Sequence, residues 1–174
     1  MDGFINLLKP PGMTSHDAIN QLRNILRYKR IGHTGTLDPG AAGVLPICLG
    51  KATRLAEYLT EMPKLYRAEI TLGIATDTQD CYGKAERVCD CAQLEQNRFV
   101  QVLPEFIGEQ KQVPPMVSAV RVGGRRLYEL AREGIEIERT PRTINIYDLN
   151  VIKFSWELPH PKVIIDVQCS KGTY

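Results

Sequence analysis

With 174 residues, 43% of them hydrophobic and 24% charged, the chain has the make-up of a soluble globular protein and the length to enclose one real core. Its 22 basic and 20 acidic side chains leave a net charge of only +2, so an anionic partner must be met by local charge and not by a global field. No apolar run reaches the length of a membrane span, and Met1-Asp2-Gly3 lacks the basic start and apolar core of a signal peptide, so the expectation is a cytoplasmic protein with no membrane partner.

Gly3 to Leu8 is a short apolar run that fits a buried strand, broken by Lys9-Pro10-Pro11-Gly12. Thr14 and Asp17 have the spacing of a capping box, and Ala18, Ile19, Leu22, Ile25 and Leu26 recur at helical intervals, which predicts an amphipathic helix over Ser15 to Tyr28. Arg27, Lys29 and Arg30 at its end suit the helix dipole and equally suit a phosphate contact. Arg30 to Leu55 is so rich in glycine (Gly32, Gly35, Gly40, Gly43, Gly50) and proline (Pro39, Pro46) that it reads as one shaped loop. Only Asp38 can be negative within it, with His33 five residues earlier and Arg30, Lys51 and Arg54 at the ends. Leu-Asp-Pro-Gly is ordinary turn chemistry, yet a lone acid in a cation-flanked glycine-rich loop also suits a reactive site for an anionic ligand.

Ala52 to Leu59 reads as a short helix, and Tyr66 to Leu72 alternates like a half-buried strand with Tyr66 on its apolar side. Thr76 to Gly83 is a polar turn whose acids do not meet a calcium-loop pattern. Weak helical periodicity covers Cys91 to Leu103. Further on, a strand through Ser118 to Val122, a Gly123-Gly124 turn and a helix from Arg125 to Arg132 are expected to form a protruding unit. Between Lys111 and Arg142 lie seven Lys/Arg and four acids, and the cations bunch at that turn, where Tyr128 could offer a stacking surface to a nucleic acid. Thr143 to Phe154 and Lys162 to Cys169 are two more strands. The five cysteines, Cys48, Cys81, Cys89, Cys91 and Cys169, show no zinc-ligand spacing and are expected to be reduced thiols, with no metal. The fold class expected is α+β, a mixed, largely antiparallel sheet flanked by helices and loops.

The word Gly32-His33-Thr34-Gly35-Thr36-Leu37-Asp38-Pro39, continued through Gly43-Val44-Leu45-Pro46 to Gly50-Lys51-Ala52-Thr53-Arg54, resembles the central motif of the TruB family of tRNA pseudouridine synthases. Lys9 to Ser15 is similar to that family's N-terminal motif. Tyr66-Arg67 with Leu72-Gly73 and Thr76-Asp77-Thr78 is similar to its second, Pro114-Pro115 with Ser118-Ala119 to the start of its RNA-gripping insertion, and Ser170-Lys171-Gly172-Thr173-Tyr174 to the start of its last. The resemblance implies the pseudouridine synthase fold and isomerisation of the T-loop uridine, conventionally position 55 of tRNA. That reaction breaks the glycosidic bond, turns the base and rejoins it through carbon. It needs a flipped nucleotide and a carboxylate near the anomeric carbon, acting as nucleophile or base.

On that resemblance Asp38 and Tyr66 are the expected catalytic residues, Asp38 as the carboxylate and Tyr66 stacked on the target base. His33 is expected to help displace that base. Thr36, Lys9, Lys51, Arg54, Arg125, Arg126, Tyr128, Arg142, Lys171 and Tyr174 are the further expected RNA contacts. The T arm of tRNA is the implied partner, with no obligatory protein partner and no cofactor, since neither a redox change nor a group donor is required. The family's last motif runs on to an arginine that pairs with the catalytic aspartate. The resemblance therefore implies a catalytic domain over residues 1–174 cut short at its C-terminal end, with an RNA-binding insertion at about 111–142 and without the PUA-like RNA-binding domain. A tRNA-binding or tRNA-folding module without chemistry, or a guide-RNA-dependent relative, are the alternative readings.

Overall fold

The computed structural model describes residues 1–174, which divide into two units, residues 1–62 and 63–174. In the first, β1 (Gly3–Lys9) leads to α1 (Ser15–Leu26), β2 (Ile31–His33), β3 (Gly43–Leu49), a 3-10 helix (Gly50–Leu55) and α2 (Ala56–Glu61). The capping box forms as its spacing predicts: Asp17 N donates to Thr14 Oγ1 at 3.0 Å, and Thr14 N donates to the Asp17 carboxylate at 3.0 Å. The helix stops two residues before the expected Tyr28, because Arg27 turns into the left-handed region at φ 48° and its N–H closes on the Arg23 carbonyl. Ala18 and Ile19 bury against Ile31, Leu45, Ile47 and Leu49, while Ile25, expected on the same face, is exposed.

The expectation of a continuous loop from Arg30 to Leu55 is corrected by the sheet. Loop conformation is confined to the segment between His33 and Gly43, and β3 is the central strand, paired antiparallel with β1 on one side and β2 on the other. Proline is unusual in a central strand because it cannot donate to the ladder. Here Thr34 N donates to the Pro46 carbonyl at 3.1 Å, so proline's missing N–H falls on the edge facing Thr34. The Thr34 carbonyl, which that N–H would have served, lies 3.1 Å from the Thr60 hydroxyl of α2, whose single proton it shares with the Ala56 carbonyl at 2.8 Å. Gly50 then turns the chain out of β3 with φ +57°, where a Cβ would collide with the Met1 carbonyl and the Asp2 carboxylate.

The second unit opens with β4 (Lys64–Thr71), followed by a hairpin of β5 (Ile74–Thr76) and β6 (Ala85–Val88), two strands that the polar turn between them had hidden. After α3 (Gln96–Val102) and a 3-10 turn (Leu103–Phe106) come β7 (Gly108–Gln112), β8 (Arg121–Val122), β9 (Arg125–Arg126), α4 (Leu127–Arg132), β10 (Arg142–Ser155) and β11 (Lys162–Cys169). The main sheet runs β4-β11-β10-β7, antiparallel at each pairing. Val163 and Ile165 are buried on β11, and Arg67 of β4 forms a two-pronged ion pair with its cross-strand neighbour Asp166, at 2.7 and 2.8 Å. The strand expected from Ser118 shrinks to β8, joined to β9 by Gly123-Gly124 with both φ positive, the geometry of a tight hairpin. Val120, Leu127 and Leu130 give this region a core of its own, with Met116 and Ile137 packed on it. Helices on antiparallel sheets make the class α+β, as expected.

Replacing Thr60 by valine is expected to destabilise the protein by about 1 kcal/mol, since the proton shared by the Thr34 and Ala56 carbonyls is then lost. Serine at that position retains most of the stability. Urea midpoints measure both, and equal midpoints for wild type and Thr60→Val would remove the substitution argument.

Candidate active site

Asp38 lies in a four-residue turn in which Ala41 N donates to the Asp38 carbonyl at 3.0 Å. Proline and glycine inside the turn do what turn chemistry asks, while the aspartate side chain is exposed. The residues on either side are fastened. Leu37 N donates to Ser15 Oγ at 2.9 Å and the same hydroxyl donates to the Leu37 carbonyl at 3.2 Å. The Pro39 carbonyl accepts from Gly12 N at 2.8 Å and from Lys9 Nζ at 3.5 Å.

Lys9 is the first correction to the expected RNA contacts. It is 0% exposed, and its ammonium donates to the carbonyls of Pro10 (3.0 Å), Met13 (2.9 Å) and Pro39. Its three donors are thus committed to backbone oxygens, which is what makes a buried charge tolerable. It ties the N-terminal motif to the Asp38 turn and has no donor left for a phosphate.

His33 ends β2 and is half-buried, with Nδ1 shut away from solvent and without a hydrogen bond. Burial pulls its imidazole below the usual histidine range, the Gly35 backbone opposes this only in part, and nearby His16 adds to it. Thr36, Lys51 and Arg54 are exposed, the latter two on the 3-10 helix after β3. Within this first unit the structure therefore gathers Lys9, Gly12 and Ser15 around the turn that carries Asp38, while His33 ends the strand five residues before it.

The remaining expected residues belong to the second unit. Tyr66 sits on β4 opposite Val167 and is 40% exposed, so the core tyrosine that its alternation suggested is not what forms. Arg125 pairs with Glu133, whereas Arg126 and Arg132 place their guanidiniums 5.7 and 5.3 Å from the centre of the Tyr128 ring. Both cations thus lie within cation–π range of the Tyr128 ring, the side chain expected to offer a stacking surface. Arg142 and Lys171 are exposed. The Tyr174 backbone is held at both its N–H and its carbonyl by the Gln112 amide, at 2.9 and 2.6 Å. Ser15 and Thr60 escaped sequence reasoning, because a hydroxyl that bonds a distant backbone leaves no pattern along the chain.

Residues 23–174 match the family model described as TruB family pseudouridylate synthase (N terminal domain). The chain belongs to the TruB family. It is 57% identical over 174 residues to the tRNA pseudouridine synthase B of Symbiobacterium thermophilum and 52% identical over 175 residues to that of Pelotomaculum thermopropionicum. All of this chain is covered in both comparisons, and it spans 58% and 55% of those two proteins. Among solved structures, the TruB-family chain resembles one in a Cbf5-Nop10-Gar1 complex, with TM-score 0.68 and 33% identity over 99% of this chain and 40% of that one. It also resembles one in an H/ACA RNP bound to a substrate RNA containing 2'-deoxyuridine, with TM-score 0.65 and 31% identity over 99% of this chain and 39% of that one. The pseudouridine synthase fold is thereby established.

Because burial favours neutral His33 in the folded state, the stability it carries is complete above the unfolded pKa of about 6.5 and is lost as pH falls below that value toward the lowered folded one. NMR titration should place His33 below the ordinary histidine range, and His33→Asn should flatten the fall in urea midpoint between about pH 7 and pH 5. A His33 that titrates above the range would contradict its burial.

Proposed function

We propose that the chain carries the catalytic centre of a tRNA pseudouridine synthase acting on the T-loop uridine, position 55. The observation that carries this reading is an exposed carboxylate, Asp38, on a turn whose flanking residues are bonded to buried groups, in a member of a pseudouridylate synthase family. Asp38 serves as the carboxylate at the anomeric carbon while the glycosidic bond breaks, the base turns and a carbon–carbon bond forms. Neutral His33, presented at the end of β2, helps keep the uridine out of its stack, and Tyr66 offers an aromatic face to it. Residues 111–142 form the RNA-gripping insertion, with Arg126, Arg132 and Arg142 as phosphate contacts. Substrate and enzyme meet in the cytoplasm, where tRNA is modified, without a cofactor.

The guide-RNA-dependent reading draws on the solved neighbours, but 57% and 52% identity to proteins named tRNA pseudouridine synthase B against 31–33% to the ribonucleoprotein chains favours the stand-alone enzyme.

Release of tritium from a T-arm hairpin labelled at C5 of its uridines tests the proposal. Wild type is expected to release it without any guide RNA, and Asp38→Asn to abolish release while RNA affinity stays within about threefold. Release by both proteins would remove Asp38 from the chemistry, and release only with a guide RNA would favour the other reading. For the insertion, Arg126→Ala with Arg142→Ala is expected to lower the slope of log affinity against log salt by about 1.5. An unaltered slope would place RNA elsewhere.

A further inference from the structure

We propose that Ser15 is a positioning residue for Asp38, an inference that rests on the isomerase reading above. The direction of a side chain from its Cα is fixed once the two peptide planes flanking that Cα are fixed. For Asp38 the following plane is held by its own carbonyl, which accepts from Ala41 N at 3.0 Å. The preceding plane contains the Leu37 carbonyl, and that carbonyl accepts from Ser15 Oγ at 3.2 Å.

The same hydroxyl accepts from Leu37 N at 2.9 Å, so one oxygen holds both polar groups of one residue. Only a hydroxyl can do this from so short a side chain, having one donor and two acceptor positions. Ser15 is 2% exposed, which shields both bonds from exchange with water. Its own position is rigid, because it is the first residue of α1 and the capping box formed by Thr14 and Asp17 closes around it. The Leu37 side chain adds a second anchor by packing onto the core beside Gly43.

Ser15 thus transmits the rigidity of the α1 N-terminus to the peptide immediately before the carboxylate. It acts through Leu37 and touches no reacting atom. Alanine at this position frees the Leu37–Asp38 plane, so the carboxylate samples orientations away from the sugar while the surface that grips RNA is unchanged.

The experiment compares wild type, Ser15→Ala and Ser15→Thr by single-turnover tritium release, by RNA affinity, and by amide hydrogen exchange at Leu37. Ser15→Ala is expected to slow release by about 10- to 100-fold with affinity unchanged. Its Leu37 amide should exchange about tenfold faster. Threonine, which keeps the hydroxyl, should restore most of both. If Ser15→Ala fails to fold, Ser15→Cys, whose thiol is a much weaker partner, carries the same comparison.

Unchanged release in Ser15→Ala overturns the proposal, as does a loss confined to RNA affinity. Wild type that releases no tritium defeats the isomerase reading, and the positioning role with it. The exchange measurement separates the two failures: fast Leu37 exchange in an inactive protein shows that the clamp is real and the chemistry misassigned.

Discussion

The peptide backbone around Asp38 is fastened to groups that have no freedom of their own, and the first unit is organised around that constraint. Lys9 is the clearest case. Burying an ammonium costs on the order of several kcal/mol, so a chain keeps one inside only where carbonyl oxygens converge on it. Pro10, Met13 and Pro39 supply those oxygens, and Pro39 lies thirty residues away in sequence. Lys9, Gly12 and Ser15 together bring the N-terminal motif against the turn that carries the carboxylate, so two stretches that look independent in the sequence form one object.

The proline of β3 belongs to the same arrangement. A central strand with a missing donor would ordinarily leave a carbonyl unpaired at the end of β2, just where His33 is presented. The Thr60 hydroxyl reaches that carbonyl from α2, sharing its proton with the Ala56 carbonyl of its own helix, and the pairing continues up to the residue before the Asp38 loop. The sheet can therefore end abruptly at His33, with the loop beginning from a fixed edge and not from a frayed one.

In the second unit, charge is ordered by local partners. Arg125 is neutralised by Glu133, and Arg126 and Arg132 are gathered by Tyr128, so the basic character of the turn resolves into a few directed cations. A small core of Val120, Leu127 and Leu130 holds the hairpin and helix that display them. With a global charge of only +2, such local grouping is what the proposed contact with an RNA backbone would draw on.

Most of what repeats at short range was legible in the sequence. The capping box, the apolar stripe at Ala18 and Ile19, the Gly123-Gly124 hairpin, the strand Lys162–Cys169 and the motif words that assign the family all depend on residues a few positions apart. The strand through Pro46 and the short strands around residues 77–84 were not legible, because glycine and proline signal turns whatever pairing surrounds them. What Lys9, Ser15, Thr60 and Tyr128 do was decided only by the tertiary structure. Each bonds or packs according to what folding places beside it, and a side chain's chemistry fixes how many partners it can take but not which ones arrive.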